Sequence, residues 1–333
     1  MKHNLIFFIL IFIHLYLYAQ IPKATDYGVR HMMFSFESLP VDILIQSKSG
    51  EEKHKKPLLF FCQGSLPQPL LKYDEQGLYG IFPFNPEVLL KNYHLIIVGK
   101  PAVPLIRSTK ALGSQYCYVD SLGQFPKDYV TRNLPAYYVR RNIAVIQFLN
   151  KQTWVNHDKL VVAGHSEGST IAALMSTAYK GVTQLIYSGG NPCGRILSII
   201  QEARYQESDT DSTRYAEDWY QEWKKIVEHK TNMDITSGDT YQATYTFSQP
   251  MMESLLQLKI PVLVTYGTTD WSAPFTDYLR VEAIRKDKKN IWFKPYLGTD
   301  HNYFPINKDR QVNTAIFNWD RVVSDWAQWL EQQ

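Results

Sequence analysis

The pentapeptide Gly164-His165-Ser166-Glu167-Gly168 constrains the fold of this chain more than any other stretch. It follows an apolar, β-branched run over residues 160–163 and precedes a helix-like run over residues 169–179. Where a strand passes into a helix through so short a turn, a Cβ at the flanking positions would collide with backbone, and glycine avoids this collision. We therefore predict a strand, a sharp turn and a helix, with the Ser166 hydroxyl pointing away from the sheet.

Strand-like and helix-like segments alternate along the rest of the chain. The strand-like segments are residues 31–38, 41–46, 57–62, 94–98, 160–164, 184–188, 261–266 and 291–296. The helix-like segments are residues 134–151, 169–179, 275–285 and 312–332. Several strands are continuously apolar, as in a parallel sheet covered on both faces, whereas the first two alternate like an antiparallel edge hairpin. We predict an α/β fold with a mostly parallel eight-stranded sheet and helices on both faces.

One interval, residues 191–258, interrupts this alternation. It contains no strong strand but several aromatic residues at helical spacing, and Trp219, Trp223 and Ile226 fall on one face of a helix. We predict a helical cap inserted between two strands, above one end of the sheet. The two tryptophans either line a substrate site, together with Trp271, or only pack the cap onto the body of the domain.

The N-terminus has the pattern of a secretory signal peptide. Lys2 precedes an apolar run over residues 5–18, and the segment ends at Ala19. Because a membrane-spanning helix needs about 20 apolar residues, we expect cleavage after Ala19 and no stable membrane insertion, with an uncleaved anchor as the alternative. The mature chain, residues 20–333, is then expected to be a single secreted or periplasmic domain.

The charge balance and the cysteines argue against several kinds of partner and site. Lys and Arg number 35 against 32 Asp and Glu, which gives a formal net charge of +3 and no reason to expect a nucleic-acid partner. Cys62, Cys117 and Cys193 are too few for a disulfide framework and lack metal-ligand spacing. One pair could form a disulfide in an oxidising compartment, and buried free cysteines are the simpler expectation. We predict neither a metal nor a cofactor.

An aspartate and a histidine follow two of the later predicted strands. Asp270 comes after residues 261–266, and His301 comes after residues 291–296. The carboxyl ends of parallel strands lie at one edge of an open sheet, where α/β proteins build their sites. We therefore expect Ser166, Asp270 and His301 to meet at this edge.

These three side chains together suit nucleophilic catalysis. Neutral His301 would take the proton of Ser166 as the serine oxygen attacks an acyl carbon, and would then protonate the leaving group. Asp270 would accept the other ring N–H, which fixes the tautomer and stabilises the imidazolium. His165 cannot replace this base, because adjacent side chains on a tight turn diverge. Asp300 is the rival acid, and its carboxylate is expected to point elsewhere.

Acyl transfer also needs N–H donors for the oxygen that becomes negative. The backbone N–H of Glu167, at the start of a helix, is the first predicted donor. The second is the amide of Ser65 or Leu66, in the loop after residues 57–62, where Gly64 allows a close approach. The Glu167 side chain is either an exposed helix-start carboxylate or a pocket group that attracts a cationic substrate.

The chain resembles the α/β-hydrolase superfamily across nearly the whole mature sequence. Three motifs support the resemblance: residues 164–168, Gly267-Thr268-Thr269-Asp270 and Asp300-His301-Asn302. The first two look like those of dienelactone-hydrolase and prolyl-oligopeptidase-like serine hydrolases. The chain departs from the latter at Ser169, where many members have a second glycine, and its Gln63-Gly64 pair lacks the histidine of the common His-Gly form.

Three functions remain open. The first is a secreted serine esterase that cleaves a small or medium acyl substrate through an acyl-enzyme. The second is a serine peptidase or aminopeptidase that acts on short peptides and holds their free amine with Glu167 or with a carboxylate of the cap. The third is a binding protein without turnover, which the presence of all three catalytic residue types disfavours.

Overall fold

The computed structural model describes residues 22–208, 212–234, 238–309 and 311–333. The predicted signal peptide, residues 1–19, lies outside the described residues. Within the described ranges the chain forms two β-sheets and ten α-helices, and no helix there is long and apolar enough to cross a membrane.

The larger sheet has eight strands, and the smaller one has three. The strands are β1 (Val29–Phe36), β2 (Leu39–Gln46), β3 (Lys56–Cys62), β4 (Leu71–Asp74), β5 (Gly77–Tyr79), β6 (His94–Val98), β7 (Ile106–Ser108), β8 (Val155–His165), β9 (Gln184–Ser188), β10 (Val262–Gly267) and β11 (Ile291–Tyr296). The larger sheet has the order β1-β2-β6-β3-β8-β9-β10-β11. Strands β1 and β2 form an antiparallel edge hairpin, and every pairing from β6 to β11 is parallel. The predicted mostly parallel eight-stranded sheet is confirmed.

Helices cover both faces of this sheet. They are α1 (Glu87–Leu90), α2 (Lys127–Arg132), α3 (Pro135–Leu149), α4 (Glu167–Ala178), α5 (Arg195–Gln206), α6 (Tyr215–Glu228), α7 (Tyr241–Phe247), α8 (Met252–Gln257), α9 (Ala273–Arg285) and α10 (Trp319–Glu331). Strand β3 shows why helices are needed on both faces of the sheet. Its residues Leu58 and Phe60 belong to one large buried apolar cluster, and Leu59 and Phe61 belong to another. Successive strand residues point to opposite faces, so a strand that is apolar throughout must be covered on both sides.

The smaller sheet, with the order β5-β4-β7, was not predicted. It lies in the long connections that follow β3 and β6. Its strands are only three or four residues long and are mostly half-exposed, so they carry neither the apolar run nor the strict alternation that marks a strand in sequence. One of its residues, Lys72 of β4, lines a cavity beside the candidate active site.

Four helices, α5 to α8, lie between β9 and β10, in the interval that we predicted as a helical cap. Trp219 and Trp223 of α6 pack against the apolar side of α5, in a cluster that includes Ile196 and Ile200. Trp223 also stacks on Tyr245, with ring centroids 5.9 Å apart. The two tryptophans therefore hold the cap together.

The three cysteines are free in the structure. Cys62 and Cys117 are buried, and Cys193 is partly exposed. Burial raises the pKa of all three thiols, which keeps them protonated and poorly reactive. In the described part of the chain, no group of three or more His, Cys, Asp or Glu side chains is arranged to hold a metal ion.

Candidate active site

Ser166 occupies the turn between β8 and α4. Its backbone has φ of 58° and ψ of −126°, a conformation that L-residues rarely adopt and that costs about 1–3 kcal/mol. The turn is fixed at both ends, because Ser166 N donates to Ser188 O at 3.0 Å and Ser169 N donates to Ser166 O at 3.0 Å. The strand and helix thus hold the serine at the carboxyl edge of the sheet in a strained backbone state.

The glycines on either side of Ser166 are required by close packing of the backbone. A Cβ on Gly164 would lie 2.0 Å from the carbonyl oxygen of Gly168. A Cβ on Gly168 would lie 2.0 Å from the carbonyl oxygen of Cys62. Both distances are far below van der Waals contact, so the collision that the sequence predicts at these positions is confirmed.

Asp270 and His301 come together at the same edge of the sheet. His301 Nδ1 donates to Asp270 Oδ2 at 2.8 Å, and the Asp270 carboxylate also accepts the backbone N–H of Ser272 at 3.0 Å. Burial opposes the charged form of both side chains, but their mutual attraction outweighs it. The pKa of Asp270 is lowered and the pKa of His301 is raised, so the pair is arranged to stabilise an imidazolium.

Ser166 and His301 border the same two cavities, which we describe below. Among the described residues, no hydrogen bond joins them. His301 uses Nδ1 for Asp270, which leaves Nε2 for the serine. Catalytic hydrogen bonds are often long or poorly aligned before substrate binds, so the lack of this bond does not exclude His301 as the base for Ser166.

Asp300 does not compete for His301. Its Oδ1 accepts the backbone N–H groups of Asn302 and Phe304, at 2.9 and 2.8 Å. The carboxylate therefore stabilises the turn that carries His301, as expected from the sequence.

His165 is buried behind the site. Its Nδ1 lies 3.0 Å from Ser188 Oγ, and burial lowers its pKa to about 3, helped by the nearby His301. It therefore stays neutral at ordinary pH.

Three buried hydroxyl groups that we did not single out in the sequence hold the His301 loop in place. Tyr303 is fully buried, and its hydroxyl hydrogen-bonds to Ser188 Oγ at 2.5 Å and to Thr265 Oγ1 at 2.9 Å. These contacts tie the loop after β11 to β9 and β10. The sequence signal for these contacts was Tyr303 itself, two residues after the candidate histidine, because a buried tyrosine hydroxyl needs a hydrogen-bond partner.

The candidate N–H donors lie around Ser166. Glu167 is the first residue of α4, so its N–H has no acceptor within the helix. The loop that contains Ser65 and Leu66 lines a cavity together with Ser166, and a Cβ on Gly64 would be only 3.5 Å from the serine Cβ. Neither Ser65 N nor Leu66 N donates to any acceptor in the part of the chain that the structure describes. Both amides therefore stay candidates for the second donor.

The Glu167 side chain is not the exposed carboxylate that was the simpler of our two predictions. It is buried, accepts a hydrogen bond from Lys100 Nζ at 3.2 Å, and lies 3.3 Å from Arg195 Nη1. Burial raises the pKa of Glu167 and lowers that of Lys100, and each charge opposes the shift of the other. The two cations already neutralise this carboxylate, which leaves it little capacity to attract a cationic substrate.

This ion pair belongs to a larger network that joins the cap to the body of the domain. Arg195, at the start of α5, also pairs with Asp239 at 2.7 Å, and Asp239 Oδ1 accepts from Asn133 Nδ2 at 2.9 Å. This network of charged and polar side chains was not predicted from the sequence, because its residues are far apart along the chain and form no motif.

A cavity of about 330 Å³ lies between Ser166 and the cap, and we call it the cap cavity. Its walls include Arg195, Ser198, Ile199 and Glu202 of α5, and also Trp271, Asp270 and His301. Trp271 therefore borders the cavity that contains Ser166. Trp219 borders a separate cavity that shares Arg195 and Ile199 with this one, and Trp223 packs inside the cap. Neither tryptophan lines the cap cavity, so these contacts favour the packing role over the substrate role.

A second cavity of about 470 Å³ lies on the other side of Ser166, and we call it the loop cavity. Its walls include the Gly64–Leu66 segment, Phe82 next to the smaller sheet, and Trp319 of α10. Ser166 and His301 border both cavities, so the candidate nucleophile lies where they meet.

Comparison with known proteins gives a likeness in structure only. No protein-family model matches the sequence, and no curated protein is similar to it in sequence. Among solved structures, an acylaminoacyl peptidase from Pyrococcus horikoshii aligns with 91% of this chain at a TM-score of 0.54 and 14% identity. Est1E from Butyrivibrio proteoclasticus with ferulic acid bound aligns with 91% at a TM-score of 0.54 and 15% identity.

These two neighbours differ in length. This chain spans 98% of Est1E but only 40% of the acylaminoacyl peptidase. A puromycin-hydrolyzing peptidase from Mycobacterium tuberculosis is a similar case, with 14% identity, a TM-score of 0.50, and coverage of 86% of this chain and 38% of the peptidase. The sheet order and these likenesses together show that the chain has the α/β-hydrolase fold.

Proposed function

We propose that this protein is a serine hydrolase that cleaves esters through an acyl-enzyme. The observation that carries the proposal is the hydrogen bond of 2.8 Å between His301 Nδ1 and Asp270 Oδ2, with Ser166 on the wall of the same cavity. This pairing selects the tautomer in which Nε2 can accept a proton. Ser166 Oγ attacks the acyl carbon, His301 takes its proton and then gives it to the leaving alcohol, and water hydrolyses the acyl-enzyme by the same route.

The oxyanion that forms in each step is stabilised by backbone N–H groups. We assign Glu167 N and one of the amides in the Gly64–Leu66 loop to this role, since these donors have no other acceptor and lie beside Ser166. The partial positive charge at the start of α4 adds to the stabilisation. A metal ion or cofactor has no part in this sequence of steps.

The size of the cavities and the N-terminal segment add two further parts to the proposal. Cavities of this volume accommodate small or medium organic substrates, so we propose a small-molecule ester as the substrate. Residues 1–19 have the pattern of a signal peptide, so we propose that the enzyme acts in the periplasm or outside the cell.

A peptidase is the second candidate function, and one residue of the cap favours it. Glu202 lines the cap cavity and is exposed, and none of the described residues pairs with its carboxylate. It could hold the free amine of a short peptide, the role for which Glu167 is unsuited because of its two cationic partners. Turnover of aminoacyl amides that exceeds turnover of simple esters would favour this function over the first.

A fluorophosphonate probe tests whether Ser166 is an activated nucleophile. We expect one covalent adduct per chain, which peptide mass spectrometry maps to Ser166, because only a serine deprotonated by a neighbouring base attacks phosphorus at a useful rate. Ser65→Ala is the matched control, since it removes a hydroxyl group from the loop cavity but keeps the backbone N–H of residue 65, so labelling at Ser166 should persist. A folded protein that remains unlabelled at Ser166 would contradict the proposal and support a binding role without turnover.

The pH dependence of hydrolysis should report the ionisation of His301. Only neutral imidazole can accept the serine proton, and Asp270 raises the pKa of His301 against the effect of burial. We expect kcat/KM to be lost as the pH falls through a midpoint above about 6.5, the ordinary histidine value. In Asp270→Asn, the midpoint of the residual activity should move to lower pH. A midpoint that is the same in both proteins would contradict this assignment.

A further inference from the structure

The two cavities that meet at Ser166 differ in charge. The cap cavity is bordered by the carboxylates of Glu167, Glu202 and Asp270 and by one guanidinium, that of Arg195. The described walls of the loop cavity contain no Asp or Glu and a single Lys or Arg residue, Lys72. Glu167 is already paired with Lys100 and Arg195, and Asp270 with His301. The cap cavity thus keeps Glu202 as its unpaired carboxylate among the described residues, whereas the charged residue of the described loop-cavity wall is the cation Lys72.

Lys72 carries an uncompensated charge. It lies on β4 and is partly buried, and its Nζ donates to the carbonyl oxygen of Pro69 at 3.1 Å. No carboxylate pairs with it among residues 22–208, 212–234, 238–309 and 311–333. Burial lowers its pKa, and no acidic group opposes the shift. A partly buried ammonium needs a partner to offset lost hydration, and one carbonyl leaves N–H groups of Lys72 available.

The rest of the loop cavity has an apolar side and a polar side. Phe61, Phe82, Ile81 and Trp319 line the first, and Phe61 and Phe82 pack edge to face with centroids 5.9 Å apart. The polar lining includes the side chains of Gln63, Gln68 and Asn302, which can donate hydrogen bonds to an anion. A substrate with an apolar body and an anionic group therefore matches both sides of this cavity.

We propose that Lys72 makes the loop cavity a binding site for a carboxylate, so that the preferred substrates carry an anionic group on the part that occupies this cavity. The inference rests on the proposed hydrolase function, because Ser166 and His301 border the same cavity. The carboxylate can belong to the acyl part, as in a monoester of a dicarboxylic acid, or to the leaving group, as in an ester of a hydroxy acid. Both sources present the same chemistry to Lys72.

Two pairs of esters distinguish these sources. In the first pair, 4-nitrophenyl hemiglutarate is compared with 4-nitrophenyl valerate, so that only the acyl part gains a carboxylate. In the second, the butyrate ester of 4-hydroxybenzoic acid is compared with that of 4-hydroxybenzamide, so that only the leaving group gains one. We expect the wild type to show a higher kcat/KM for the anionic member of one pair, and that pair identifies the source.

Lys72→Met removes the charge and keeps the length of the side chain. We expect it to lower kcat/KM for the preferred anionic ester about 10- to 100-fold, mainly through KM, since a hydrogen bond to a charged group contributes that much. The neutral member of the pair should change less than about 3-fold. Lys72→Arg should retain most of the preference, because it keeps the positive charge. Lys180→Met, which removes an exposed lysine outside the walls of both cavities, is the matched control.

The outcomes separate this inference from the proposed function. If the neutral esters are hydrolysed in a reaction that depends on Ser166, and neither pair shows a preference for the anionic ester, the inference is overturned and the proposed function stands. A preference that survives in Lys72→Met overturns it as well. The comparison within the wild type needs no variant, so a lack of anionic preference there overturns the inference even if Lys72→Met does not fold. No turnover of any ester would remove the proposed function and this inference with it.

Discussion

Replacement of Ser166 by alanine is expected to lower kcat/KM for the best ester substrate by about 10⁴- to 10⁶-fold. The alanine side chain cannot form the acyl-enzyme, so neither the base nor the N–H donors have a covalent intermediate to act on. The residual rate should come from binding and from oxyanion stabilisation of direct attack by water. Steady-state kinetics on the ester pairs described above would measure the change.

The fold should be unaffected by this substitution. Ser166 has φ of 58°, and alanine meets the same steric cost in this conformation as serine. Glycine has no such cost, so Ser166→Gly should be equally inactive and more stable to heat. Ser65→Ala provides the control for removal of a hydroxyl from the site. Activity in Ser166→Ala within 10-fold of the wild type would exclude Ser166 as the nucleophile.

Replacement of Asp270 by asparagine is expected to reduce kcat by about 10⁴-fold with little change in the structure. The carboxylate can only accept hydrogen bonds, so it requires a proton on Nδ1 of His301 at their contact of 2.8 Å. An asparagine amide can donate instead, which moves the proton to Nε2 and leaves no base that faces Ser166. The loss should appear in kcat more than in KM, because Asp270 acts mainly in the transition state.

Asp300→Asn is the matched control for this prediction. Asparagine can still accept the backbone N–H groups of Asn302 and Phe304 through its side-chain oxygen, so the turn should persist. We expect its kcat to stay within about 10-fold of the wild type. If Asp300→Asn were the more damaging of the two substitutions, the acid assigned to His301 would have to be changed.

Most of the sheet could be predicted from the sequence because its strands are buried on both faces. Continuous apolar runs identified β3, β6, β9 and β10, and the order of Ser166, Asp270 and His301 along the chain placed all three at one edge. The smaller sheet was missed, since strands of three or four half-exposed residues have no pattern that distinguishes them from loops.

The sequence left alternatives open at the site where one pattern fits two environments. The helical spacing of Trp219 and Trp223 is the same whether a stripe faces a substrate or another helix, and only α5 decides between them. The position of Glu167 is also compatible with two environments. A carboxylate in the first turn of a helix is normally solvated, and its burial here depends on Lys100 and Arg195, which are distant in sequence.

The link between Arg195 and Glu167 bears on how substrate specificity could evolve in the proposed hydrolase. Glu167 supplies a proposed oxyanion donor through its backbone, and its side chain anchors the helix α5 that borders the cap cavity. A substitution at Arg195 that reshapes the cap cavity also removes a counter-charge from the residue that follows the proposed nucleophile. Selection for a new substrate at this position therefore acts on catalytic rate at the same time, and broad changes of preference are easier in the loop cavity.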